Sequence, residues 1–487
     1  MGSAEAYQLH AFFFPVMAQG HLIPFVDLAR LFSSHGVKVT IITTPLNARR
    51  FSNTIERDKQ LGLDISVQLI PFPSEEAGLP QGYENVGSFP NFPAVISKFF
   101  NSLSLFQQPF EDLLQEHRPN FVVADVFFPW VTDVSAKLGI PSLIFDATCF
   151  FSLCVSDSFT RYTPHENIKS ETDTFVVPGL PDKIELTRSQ LIDDLKKPTH
   201  LSKMMERIRE SEGRSFGILV NSFYELEPAY ADHYRKVIGR KAWHVGPVSF
   251  SNRDIADKSE RGNRASIDEH VWLKWLDSKK PNSVLYVSFG SVARFTAAQV
   301  LEIAMGIEAS GQSFIWVLRL KDEDSKQRIT EDFEDFEKKI EGRGLIIRDW
   351  APQMLFLDHP AVGGFVTHCG WNSTMESLSA GVPMITWPLF AEQFYNEKLV
   401  TQVLKVGVSV GAMEYQTIGG EKAIVKREDI KNAVEQLMGG GEEAEQMRSR
   451  ARELKEKAER ALEEGGSSYA NVTALIEELK LHPRPAI

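Results

Sequence analysis

The chain has little cysteine, no excess of positive charge and no long apolar run, and each shortage removes a class of protein. Cys149, Cys154 and Cys369 are its three cysteines in 487 residues. The number is odd and no C-x-x-C pair occurs, so neither a disulfide framework nor a zinc site is indicated, and a reducing cytoplasm fits best. A formal charge of −12 lacks the basic footprint that phosphate-backbone recognition requires, which argues against a nucleic-acid partner. Near the N-terminus the apolar run AFFFPVMA is short and leads into Gln-Gly-His rather than a small-residue cleavage site. It predicts a first strand, not a signal peptide, and no membrane span is expected.

What remains is an ordinary globular composition, 43% hydrophobic and 24% charged, in a chain too long for one core. The pattern divides it into a domain over 1–250, a linker over 251–268 where charge rises and apolar period is lost, and a second domain over 269–465. Strands are expected at 11–16, 37–43, 65–70, 121–125 and 141–145 in the first domain and at 284–288, 314–318, 345–348 and 362–367 in the second. Helical patterns separate them, the first with Ile23, Val26, Leu28 and Leu31 on one face. The fold class is therefore α/β, with doubly wound parallel sheets. Residues 160–215 read as polar and helical in patches. Thr296 and Gln299 form a T-x-x-Q capping box opening a helix that Gly311 can close.

The most informative stretch is 350–393, WAPQMLFLDHPAVGGFVTHCGWNSTMESLSAGVPMITWPLFAEQ. A strand ends at His368, Gly370 permits a sharp turn, and a helix capped by Asn372 or Ser373 follows. In an open α/β sheet such a turn lies at the carboxyl edge of the strands, where the helix end attracts anions. His368, Asn372 and Ser373 add donors suited to a diphosphate, while Trp350 offers a stacking face and Gln353 an amide for a base edge. The plain structural reading of Ser373-Thr374-Met375-Glu376 is a capping box, S-x-x-E. His21 and Asp125 both fall at strand ends of the first sheet, where a carboxylate can fix the tautomer of an imidazole. Phe89, Phe127, Phe128 and Phe150, in or beside loops after strand ends, are candidates for an apolar pocket. Asp322-Glu323-Asp324 mimics a metal-holding D-x-D but sits in a charged segment away from any suitable turn.

The stretch 350–393, together with GHLIP at His21 and ADVFFPW at Asp125, resembles plant UDP-dependent glycosyltransferases of small molecules, whose signature box it matches from WAPQ through HCGWNS to the closing Glu-Gln. The resemblance implies a GT-B fold, two facing Rossmann-like domains with an interdomain cleft, and a tail helix over 466–485 that packs back on the acceptor-binding first domain. By the same resemblance Trp350 stacks on uracil, Ala351 and Gln353 bond its edge, Ser291, His368, Asn372 and Ser373 hold the diphosphate, and Glu376 the ribose hydroxyls. Trp371, Glu392 and Gln393 would hold the sugar, with Glu392 longer in reach than the Asp often found there. His21 and Asp125 would form the catalytic pair. The implied reaction is inverting transfer of glucose from UDP-glucose, a co-substrate, to a hydroxyl of a lipophilic plant small molecule such as a triterpenoid or steroidal sapogenin, a flavonoid or another phenolic. No cofactor and no metal are expected, and the oligomeric state is open. The alternatives are the same fold using UDP-galactose, UDP-glucuronate or UDP-rhamnose, or a catalytically silent UDP-sugar-binding protein.

Overall fold

The computed structural model describes residues 8–89, 92–199, 202–252, 254–262, 268–319, 333–416 and 423–482. The chain packs as two units, one formed by 1–150, 198–257 and 460–487, the other by 151–197 and 258–459.

The first unit is built on a seven-stranded parallel sheet in the order β3-β2-β1-β4-β5-β8-β9. Its strands are β1 (His10–Phe14), β2 (Lys38–Thr43), β3 (Ile65–Leu69), β4 (Phe121–Asp125), β5 (Ser142–Asp146), β8 (Gly217–Val220) and β9 (Ala242–His244). β1 is central, with Phe12 opposite Thr40 on one side and Val122 on the other. Helices on both faces explain why β1 and β4 are buried along their length rather than on alternate residues. The helix Gln19–Ser34 buries Leu22, Phe25, Ala29 and Phe32, and the rings of Phe25 and Phe32 meet Phe13 at 6.2 and 5.5 Å. Ile23 and Leu31, expected on that face, are only half-buried; contact with Phe13 selects the neighbouring stripe. The helix Ser467–Lys480 also belongs to this unit. Its Val472, Leu475, Ile476 and Leu479 share a core with Phe13, Phe32 and Trp243, and Ser468 Oγ donates to the Gly246 carbonyl at 2.6 Å.

The second unit carries a six-stranded parallel sheet in the order β12-β11-β10-β13-β14-β15. These are β10 (Val284–Ser288), β11 (Ser313–Leu318), β12 (Gly344–Arg348), β13 (Val362–Thr367), β14 (Met384–Thr386) and β15 (Gly407–Ser409). An antiparallel hairpin of β6 (Thr174–Val177) and β7 (Ile184–Thr187) packs with it. The helical patches expected there give way to this hairpin over 174–187, because Phe175 and Val177 alternate with exposed neighbours and the Pro-Gly at 178–179 turns the chain. Ser189 then bonds the Met413 carbonyl at 2.6 Å and accepts from Tyr415 N at 2.8 Å. Residues 151–197 thus pack with the second unit although they lie in the sequence domain 1–250, since packing follows apolar surface rather than chain order.

Three ion pairs mark the change of unit within the linker. Asp257 takes Arg30 at 2.6 Å and Arg57 at 2.9 Å, while the adjacent Lys258 takes Asp358 at 2.7 Å. Asp322-Glu323-Asp324 lies outside the described residues. Among the described residues no helix is long and apolar enough to cross a membrane. The Thr296 cap is present, accepting from Gln299 N at 3.3 Å. The reciprocal half of that capping box is not, because Gln299 Oε1 accepts instead from Val425 N at 2.8 Å.

Candidate active site

In the first unit, Ala18 precedes the helix Gln19–Ser34 and places His21 in its first turn. Asp125 ends β4, the neighbour of β1. His21 Nδ1 and Asp125 Oδ2 are 2.9 Å apart, with the imidazole 29% exposed and the carboxylate 1%. The second carboxylate oxygen accepts from Phe127 N at 3.1 Å. Asp125 therefore fixes both the ring and the loop after its own strand. With the proton held on Nδ1, Nε2 carries the lone pair of the neutral imidazole.

The apolar candidates divide. Phe127 is half-buried, 5.3 Å from the His21 ring and 5.1 Å from Phe100. Phe89, itself buried, stacks on Tyr83 at 5.5 Å in the long loop after β3. Phe128 and Phe150 belong to the core instead: Phe128 stacks on Phe14 at 4.1 Å, and Phe150 packs on Tyr234 and His244. Alternation across the F-F pair 127–128 turns only the first ring toward His21, which sequence spacing alone did not resolve. Sequence reasoning also passed over the polar pins of the loop carrying Phe89. Asn85 Nδ2 donates to Asn47 Oδ1 at 2.8 Å, Leu46 N to Glu84 Oε2 at 2.8 Å, and Val86 N to the Met17 carbonyl at 3.0 Å. The run PLNA, 45–48, was the available signal.

In the second unit, β13 delivers His368 to the turn before the helix Trp371–Ala380. Cys369 has φ +63° and Gly370 is the helix cap, so the helix begins two to three residues earlier than expected. Ser373 and Glu376 thus lie inside it, and no side chain caps it; the capping-box reading is corrected. Both face Gln353 instead. Gln353 Nε2 donates to Ser373 Oγ at 3.0 Å and to Glu376 Oε2 at 2.7 Å. The other carboxylate oxygen pairs with Arg261, a residue of the linker expected over 251–268.

The His368 imidazole is wedged between two glycines. A Cβ at Gly290 would lie 2.6 Å from its Cε1, and one at Gly370 2.4 Å from its Nε2. Only glycine allows this approach, and it brings the turn after β10, with the half-buried Ser291, beside His368. Burial lowers the His368 pKa to about 4, so the ring is neutral at pH 7, and its buried Nδ1 has no hydrogen-bond partner among the described residues. The first N–H groups of the following helix point beyond its N-terminus, where an anion is favoured. Trp350 follows β12 beside the buried Ala351. The Arg319 guanidinium lies 5.1 Å over its ring, and a Cβ at Gly262 would come within 2.3 Å of it. Trp371 is buried and Asn372 half-buried. Glu392 precedes the helix Gln393–Lys398; Gln393 Oε1 accepts from Leu389 N at 2.9 Å and Phe390 N at 3.0 Å.

The two halves of this arrangement are a carboxylate-oriented imidazole on one Rossmann-like unit and a helix-terminal anion site with aromatic, amide and carboxylate groups on another. That combination defines a GT-B nucleotide-sugar transferase. Residues 247–448 match the family described as UDP-glucoronosyl and UDP-glucosyl transferase, and residues 9–250 that described as glycosyltransferase, N-terminal domain. The scopoletin glucosyltransferase of Nicotiana tabacum is 52% identical over 477 residues, covering 98% of each chain. The UDP-glucose flavonoid 3-O-glucosyltransferase 7 of Fragaria ananassa is 53% identical over 486 residues, again covering 98% of each. The crystal structure of Glycyrrhiza uralensis UGT73P12 complexed with glycyrrhetinic acid 3-O-monoglucuronide matches at a TM-score of 0.92 and 46% identity, covering 97% of this chain and 96% of that one. The chain belongs to the UDP-glycosyltransferase family of plant enzymes and is a UDP-glycosyltransferase of GT-B fold.

Proposed function

We propose that the protein is an inverting, metal-independent O-glucosyltransferase that moves glucose from UDP-glucose to a hydroxyl of a lipophilic plant small molecule, a sapogenin, flavonoid or related phenolic. The first unit takes the acceptor and the second the donor. The observation that carries the reading is the 2.9 Å contact between His21 and the buried Asp125. His21 Nε2 takes the acceptor proton as the oxygen attacks C1 of the sugar. The C1–O bond to UDP breaks on the opposite face, so an α-linked donor gives a β-glucoside. Asp125 stabilises the imidazolium that forms.

Negative charge moves onto the departing UDP, and the helix end, the neutral His368 ring and the hydroxyls of Ser373 and Ser291 are the donors proposed to meet it. Trp350 and Ala351 are assigned to uracil, Gln353 and Glu376 to the nucleoside, Asn372 to the diphosphate, and Trp371, Glu392 and Gln393 to glucose. Phe127 and Phe89 are assigned to the acceptor. No group of three or more His, Cys, Asp or Glu side chains able to hold a metal occurs among the described residues, and the scheme routes no step through one. A cytoplasmic location is proposed with it, supported by three buried free thiols. The purified protein, offered UDP-glucose with a mixed panel of sapogenins and flavonoids, is expected to form β-glucosides. No product from any acceptor, or transfer only from UDP-galactose, UDP-glucuronate or UDP-rhamnose, would overturn the assignment.

A further inference from the structure

We propose that Asn396 is a positioning residue for recognition of the donor sugar: its amide ties the Glu392 carboxylate to the Cys369 carbonyl in the turn beside His368. The inference rests on the donor-sugar role proposed above for Glu392.

Asn396 is fully enclosed and polar contacts occupy both ends of its amide. One Nδ2 hydrogen goes to the Cys369 carbonyl at 2.9 Å and the other to Glu392 Oε1 at 3.2 Å. Oδ1 accepts from Ser152 Oγ at 2.8 Å. Three partners from three separate stretches of chain leave the amide a single orientation.

Each tie has a physical purpose. Cys369 sits at φ +63°, a region unfavourable for a residue with a Cβ, and its carbonyl is buried, so a fixed donor there holds the turn in shape. That turn has no slack, because the His368 ring is wedged between Gly290 and Gly370. Glu392 is only half-buried, and a glutamate has three side-chain torsions to restrain. Its neighbour four residues on, across one helical turn, supplies the restraint. Simple satisfaction of the Cys369 carbonyl would need one N–H; the second, on Glu392, links the anion-binding turn to the sugar carboxylate. Ser152 brings in the 151–197 segment, so docking of that segment also sets the amide.

The test is a double-mutant cycle on kcat/KM for UDP-glucose, with thermal melting recorded for every variant. Asn396→Ala is expected to lower kcat/KM roughly tenfold or more in the otherwise native protein, but less than about threefold in a Glu392→Ala background. Asn396→Asp keeps the volume and the Ser152 bond while removing both N–H donors, and should lose as much, which covers the case in which the alanine variant fails to fold. Ser152→Ala leaves both N–H bonds and should give a smaller loss in the same direction. Losses that simply multiply would mean that Asn396 supports the fold without acting through Glu392, and would overturn the proposal. An active wild-type enzyme in which Glu392→Ala changes nothing removes the premise and the proposal together. A wild-type protein that transfers no glucose at all defeats the glucosyltransferase reading itself, an outcome distinct from the other two.

Discussion

Replacing Gln393 by histidine is expected to reduce glucose transfer more than galactose transfer, and the structure fixes which part of the side chain carries the effect. Gln393 is 3% exposed, and its Oε1 accepts from two backbone N–H groups, Leu389 at 2.9 Å and Phe390 at 3.0 Å. Only the Nε2 hydrogens are therefore left for a sugar hydroxyl. A neutral imidazole offers one ring acceptor, so one of the two backbone N–H groups loses its partner, at ~1–3 kcal/mol of stability. On the sugar side, a hydroxyl that meets no donor in a buried site costs a similar ~1–3 kcal/mol, or roughly ten- to a hundredfold in kcat/KM. Galactose differs from glucose by an axial C4 hydroxyl, so it forgoes that bond already and has less to lose. Gln393→Glu separates the two effects. Its carboxylate keeps both backbone acceptor bonds but offers the sugar no donor, so melting should change little while glucose transfer falls. Side-by-side kinetics with UDP-glucose and UDP-galactose on wild type and both variants provide the check. A wild-type preference for UDP-galactose, UDP-glucuronate or UDP-rhamnose, or a Gln393→Glu enzyme with undiminished glucose transfer, would refute the reasoning.

His21→Ala should lower turnover by about 10²–10⁴-fold with donor affinity nearly intact, and near-normal turnover on an unactivated alcohol would exclude the general-base role. Asp125→Asn keeps the bond to Phe127 N but presents N–H to His21 Nδ1; the tautomer reverses and turnover should fall in the same way. His368→Ala should weaken UDP and UDP-glucose binding alike, and activity should survive EDTA; loss on chelation with rescue by Mn²⁺ would contradict the metal-free scheme. Burial, and next the nearby Arg235, lowers the His244 pKa to about 3. The unfolded chain then binds the extra proton between about pH 6.5 and 3, so this contribution to stability is full above pH 6.5 and is lost on acidification. His244→Asn preserves an acceptor for Arg235 Nη2, now 2.8 Å from Nδ1, and should shrink the drop in Tm between pH 7.5 and 5. An unchanged drop would remove His244 as its source.

Much of this was legible because local pattern and tertiary position coincide. The runs at 121–125, 284–288 and 362–367 are apolar, rich in β-branched residues and buried on both faces, and they are β4, β10 and β13 to the residue. His21 and Asp125 stood out because strand ends at one sheet edge converge wherever the strands are neighbours. The start of the helix after His368 was not legible. It depends on the left-handed φ of Cys369, which sequence does not announce, and a shift of this size turned Ser373 and Glu376 from caps into partners of Gln353. Arg261 and Arg319 were hidden for another reason: in sequence one lies in the charged linker and the other just past a strand, and only the fold brings them to Glu376 and Trp350.

The three amides of the donor region show how far the folded state refines a residue type. In sequence Gln353, Gln393 and Asn396 are equivalent, each with a donor end and an acceptor end. In the fold Gln353 gives both Nε2 hydrogens to Ser373 and Glu376, so its acceptor is the end left for the nucleoside proposed to bind there. Gln393 has its acceptor filled by two backbone N–H groups, so its donors are left for the sugar proposed to bind there. Asn396 has both ends engaged within the protein, so it is proposed to act indirectly, by holding the Cys369 turn and orienting Glu392. The same change to a carboxylate should therefore have three different consequences. At Gln353 it sets a second negative charge against Glu376 and removes two hydrogen bonds. At Gln393 it preserves the fold and removes the donor for the sugar, and at Asn396 it releases the carboxylate that the sugar is proposed to meet.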